Sequence, residues 1–126
     1  APRSSAQNRL AQRWFTDIAT QLGDRTHAEI RAECKLTIGV PILRAENEAF
    51  RVSYDRILKP LSYEEKLAAI AEFDLPVTRM MTAKQMTDFM DQMQRKWIGE
   101  GIHLTDPDAL KYEQEFAPPQ ERIEDA

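Results

Sequence analysis

A mainly α fold, a compact bundle of about five to six helices with room for one small β element, follows from three observations. Apolar residues recur at spacings of three and four along most of the chain. Thr26, Ser62 and Thr82 each stand three positions before a Glu or Gln, the capping-box arrangement in which each side chain satisfies an orphan backbone N–H. The period-two alternation of a half-buried strand is almost absent.

The elements follow in order. Ser4 or Ser5 caps a first helix to about Leu22, with Leu10, Trp14, Ile18 and Leu22 inward and Ala11 and Phe15 widening the stripe. Gly23 stops it. Thr26 with Glu29 opens a second helix carrying Ile30, Cys34 and Ile38, which Gly39 and Pro41 are expected to end. Residues 39–43 then read as a buried turn or a short extended piece. A third helix is expected from about Ala45 to Leu58, with Phe50, Tyr54, Ile57 and Leu58 inward and Pro60 as its stop. Ser62 with Glu65 starts a fourth helix, with Leu67, Ile70 and Ala71, which Asp74-Leu75-Pro76 breaks before an extended Val77-Thr78. Thr82 with Gln85 starts the clearest helix, with Met86, Phe89, Met90, Met93 and Trp97 along one stripe and Gly99 and Gly101 as its end. Residues 101–104 read as a short strand or turn. Asp106 before Pro107 places a cap and a first-turn proline at the start of a short last helix. Residues 1–116 form one helical domain in this reading, and 117–126 an acidic tail expected to be mobile.

Composition narrows the function. With 42% apolar and 30% charged residues, the 126-residue chain reads as one ordinary globular domain. No apolar run approaches the roughly 20 residues that span a bilayer, so no membrane partner is expected. The single cysteine, Cys34, fits a reducing, cytoplasmic setting. The net charge of −4 is unevenly spread. Residues 100–126 hold eight acids and two bases, and residues 1–99 hold fifteen bases and thirteen acids. A basic start, a nearly balanced body and an acidic end suggest an electrostatic partner.

Catalytic patterns are missing. The two histidines, His27 and His103, form no metal-binding spacing, and no phosphate-binding glycine loop occurs. A Cys34–His27 dyad, a metal site from His103, Asp106 and Asp108, and a carboxylate pair from Asp88 and Asp91 each have a plainer alternative. Cys34 fits the core, Asp106 and Asp108 fit a helix start, and Asp88 and Asp91 fit a solvated helix face. The chain is therefore expected to be no enzyme and to need no cofactor.

The first helix carries the stronger signal. Arg3, Arg9 and Arg13 offer guanidinium forks suited to phosphate, and Gln7 and Asn8 can hydrogen-bond to bases or backbone. Lys35 and Arg44 join this DNA-binding set on charge alone. Trp14 and Trp97 either offer stacking faces to unpaired bases or fill the core. The Met-rich stripe is core, an adaptable partner groove or a dimer contact.

Arg3-Ser4-x-x-Gln7-Asn8-Arg9 resembles a motif of the lambdoid phage NinB family, also called Orf recombination proteins. Gly23-x-x-x-x-Ala28-Glu29 follows at a similar interval. Thr78-Arg79-Met80 then leads into the long helix and Gly101-Ile102-x-Leu104-Thr105-Asp106. The resemblance spans Arg3 to about Asp108. It fits residues 34–75 poorly, and the β-rich segment that usually precedes the motif in that family does not appear here. The resemblance implies a recombination mediator that binds single-stranded or gapped DNA, associates as a homodimer and contacts the host single-strand-binding protein. Its motif points to Arg3, Gln7, Asn8 and Arg9. Two other expectations stand beside it: a protein-interaction adaptor without DNA contact, and a small metal-dependent nuclease.

Overall fold

The computed structural model of the protein describes residues 5–116. Among the described residues the chain forms six helical rods and no strand, and all the rods but the last contribute to one apolar cluster. The elements are α1 (Ser5–Leu22), α2 (His27–Cys34), α3 (Val40–Glu46), α4 (Glu48–Ile57), α5 (Tyr63–Glu72), α6 (Ala83–Gly99) and α7 (Pro107–Phe116). All three capping boxes close reciprocally, at Thr26/Glu29, Ser62/Glu65 and Thr82/Gln85. The core joins Ala11, Trp14, Phe15 and Ile18 of α1 to Ile30 and Cys34 of α2. It continues into Met86, Phe89, Met90, Met93 and Trp97 of α6. The Met-rich stripe is thus interior, as its spacing allowed, and not a groove.

Four expectations fail for local reasons. Gly39 and Pro41 do not end the second helix: a π-helical turn, Lys35–Gly39, joins α2 to α3 in one continuous rod. Proline lacks an N–H, and its ring crowds the carbonyl four residues back. The wider turn answers both demands, since the Val40 N–H bonds to the Lys35 carbonyl five residues back. Residues 39–43 are therefore helical. The break expected near Gly39 comes instead at Asn47, whose backbone is extended and whose side chain accepts from the Phe50 N–H. The helix expected over 45–58 thereby shortens to α4. Val77-Thr78 is not extended, because Thr78–Met80 forms a 3₁₀ turn closed by the Met80 N–H on the Val77 carbonyl.

Residues 101–104 form no strand: Gly101 (φ 86°) belongs to the turn that ends α6, and residues 102–105 run on from it. They lie along α1, held by Gln21, Asp17 and Trp14. Gln21 Nε2 donates to the His103 carbonyl (2.7 Å) and the His103 N–H to Gln21 Oε1 (2.8 Å). The Thr105 N–H donates to Asp17 Oδ2 (2.7 Å), and the Trp14 indole N–H to the Thr105 carbonyl (2.8 Å). Asp106 then caps α7 by accepting from the Asp108 N–H.

Candidate functional site

The cations expected to bind DNA do not converge. Arg3 lies outside the described residues. Gln7 donates to Thr87 of α6 (3.1 Å), and Asn8 is half-buried beside it in sequence on α1. Gln7 and Arg9 line a cleft of about 480 Å³ between α1 and α7, together with Lys111 and the acidic Asp108. Arg13 is engaged by acids: its guanidinium donates to both carboxylate oxygens of Glu113 (2.6 and 3.3 Å) and to Asp17 (3.3 Å). That pairing holds the Glu113 carboxyl below its usual range.

Lys35 and Arg44 serve elsewhere. Lys35 is 1% exposed, and its ammonium donates to Asp74 Oδ1 and the Leu75 carbonyl, both at 3.3 Å. Burial outweighs the attraction of Asp74 and lowers Lys35 from 10.5 to about 8. Arg44 forks onto Asp55 of α4 (2.8 and 3.0 Å) and lies 5.8 Å from the Tyr54 ring. Charge alone could not separate a cation facing solvent from one fastening two elements.

The catalytic alternatives are not assembled either. The Cys34 thiol is buried and pushed up to about 12, far from a reactive thiolate. His27 packs edge-on against Phe15. Among the described residues no group of three or more His, Cys, Asp or Glu side chains is placed to hold a metal ion. Trp14 and Trp97 are both core, and Arg25 and Lys96 lie 5.9 and 4.7 Å from the Trp97 ring.

The feature that sequence reasoning missed is an apolar groove of about 390 Å³ between α4, α5 and the link over residues 75–80. Its floor is Val40, Tyr54, Ile70 and Val77, all buried. Its walls are Phe50, Leu58 and Leu75, and its rim includes Ile57 and Met80, 57% and 42% exposed. Ile57, expected inward, thus faces this opening. The volume falls within the range of about 300–1,000 Å³ usual for ligand pockets.

Three local devices shape the groove. Gly39 lets the link press against the helical rod: a Cβ there would lie 2.8 Å from Val77 Cγ1. Asp74 adopts a left-handed backbone (φ 46°), which turns the chain out of α5. Its carboxylate then takes Arg31 (2.8 Å), Lys35 (3.3 Å) and Arg79 (3.8 Å). The Arg31 hydrogen bond, foremost of these, holds Asp74 below its usual range. Arg44 with Asp55 ties α3 to α4 and so sets the far wall. Two of the predicted DNA-binding cations therefore help to position an apolar surface. The sequence signal for it was the breadth of the α4 stripe, from Ala49 and Phe50 to Ile57 and Leu58, wider than one buried face requires.

Among the described residues no helix is long and apolar enough to cross a membrane. In comparisons with known proteins, no family model, curated protein or solved structure matches the chain.

Proposed function

We propose that the chain is a protein-interaction module that receives an apolar, acid-flanked segment in the groove between α4, α5 and the 75–80 link. The observation that carries this reading is the groove itself, with large apolar side chains at its rim where an isolated domain gains by burying them. The flanking charge is basic. Arg56 and Lys59 bracket Ile57 and Leu58 in sequence and form no salt bridge among the described residues. The acids adjoining the lining in sequence are engaged, Asp55 by Arg44, Asp74 by its three cations and, loosely at 3.9 Å, Glu48 by Arg51. A segment of apolar anchors and carboxylates therefore complements the groove better than a basic one.

The test is fluorescence anisotropy of a labelled, helix-forming peptide that carries a Tyr and a Phe four positions apart among glutamates. The protein should bind it, and its lysine-substituted counterpart at least about tenfold more weakly. Ile57→Glu, at an exposed rim position, should abolish the binding while leaving the fold intact. Equal binding by that variant would overturn the reading.

The cleft between α1 and α7 favours a second reading, single-stranded DNA binding of the kind the NinB resemblance implies. Gln7, Arg9 and Lys111 come together there, two of them from the predicted set. On this reading Arg9→Ala with Lys111→Ala weakens binding of a labelled oligonucleotide, and affinity falls steeply with salt. Salt-independent binding, or binding unchanged in the double variant, contradicts it.

A further inference from the structure

Helix α7 is unusual among the elements of this fold because it buries almost nothing. Of its described side chains, Leu110 is half-buried and the rest are exposed. A helix of 10 residues is marginal in water unless a packed face supports it. Here the support consists of the Asp106 cap, the Arg13–Glu113 pair and the contact of Leu110 with the α1 cleft.

The face turned away from α1 carries two large aromatic side chains. Tyr112 and Phe116 are 65% and 72% exposed, and their rings touch at a tilt of 45° with centroids 4.7 Å apart. They stand four residues apart, the spacing at which two helical side chains form one ridge. Between them in sequence stand Glu113, already held by Arg13, and Glu115, which forms no ion pair among the described residues, and Lys111 precedes Tyr112. The helix thus presents paired aromatic anchors beside one unengaged carboxylate, Glu115.

We infer that the groove between α4 and α5 receives the Tyr112–Phe116 ridge of α7 from a second copy of this chain. This inference rests on the groove being a docking surface. Each side supplies what the other lacks. The groove offers an open apolar trough with Arg56 and Lys59 alongside in sequence, and α7 offers exposed aromatics with the Glu115 carboxylate between them in sequence. The contact is reciprocal, since two copies can exchange α7 helices about a two-fold axis and satisfy both grooves at once. With two anchors per contact and a charged rim, the dimer is weak and concentration-dependent, with Kd on the order of 10–100 μM. Any other acidic, aromatic segment that fits the groove must displace this one, so self-association and partner binding compete.

Sedimentation velocity of the full chain, from about 5 μM to about 1 mM, tests the inference. The wild type should pass from monomer to dimer. Tyr112→Ser with Phe116→Ser should stay monomeric, and so should Ile57→Glu with Met80→Glu, all at exposed positions. An equimolar mixture of the two variants should recover a heterodimer, because one carries an intact groove and the other an intact α7. A wild type that stays monomeric at the highest concentration would overturn the inference. So would a dimer that survives either pair of substitutions. Peptide binding by a chain that fails this test would leave the groove reading standing and remove only α7 as its occupant. Loss of both would remove both.

Discussion

Lys35 sets the terms at the scale of single residues. A lysine at 1% exposure keeps its charge only against a desolvation cost, and Asp74 and the Leu75 carbonyl offset that cost in part. Its folded value of about 8 lies below the ordinary 10.5. Between those values the unfolded chain binds the extra proton, so stability rises with pH across that window. Below about pH 8 the cost of the buried charge is present in full. Lys35→Met should therefore stabilise the protein at pH 7 by about 1–2 kcal/mol, because Asp74 keeps Arg31 and Arg79. It should also flatten the rise in urea midpoint between pH 8 and 10, and a variant no more stable than the wild type would contradict the assignment. Gly39 makes the opposite case. Alanine there gains roughly 0.5–1 kcal/mol of helix propensity. It also meets Val77 Cγ1 at 2.8 Å, and a β-branched side chain has little freedom to yield. Overpacking of this kind costs about 1–3 kcal/mol, so Gly39→Ala should lower the urea midpoint rather than raise it.

Elements show how local rules compete. Pro41 and Gly39 ordinarily mark the end of a helix, yet the rod continues through a π turn in which the Val40 N–H reaches the Lys35 carbonyl. Local signals could not show that Val40, Ile42 and Leu43 would be wanted in the core on the far side of the turn. Asn47 was the overlooked boundary, a capping residue hidden inside an apparently unbroken pattern. Asn47→Ala should cost about 1 kcal/mol and speed amide exchange in the first turn of α4, with α6 unaffected. Uniform faster exchange throughout would show instead that the whole fold had weakened. The capping boxes were legible because both partners sit in one short window. The 3₁₀ turn over Thr78–Met80 was not, since a single backbone bond, from the Met80 N–H to the Val77 carbonyl, closes it and no capping side chain marks it.

Over the whole molecule, the helical class, the inward faces of α1 and α6 and the position of the last helix could be read from periodicity and caps. The site could not. Arg13, Lys35 and Arg44 looked alike as cations, but one meets α7, one is buried under the 74–75 turn and one fastens α3 to α4. Their partners, Glu113, Asp74 and Asp55, lie 11 to 100 residues away, so one-dimensional charge counting could not find them. Salt should accordingly change the stability little, since most of these pairs are partly exposed and worth about 0–1 kcal/mol each. The cations instead secure the walls of an apolar groove. Amide chemical-shift mapping tests that claim most directly, using the isotope-labelled protein and the acidic Tyr/Phe peptide. The expected result is a set of shifts confined to α4, Ile70 of α5 and residues 75–80, absent in Ile57→Glu. Shifts confined to α1 and α7, or none at all, would contradict it.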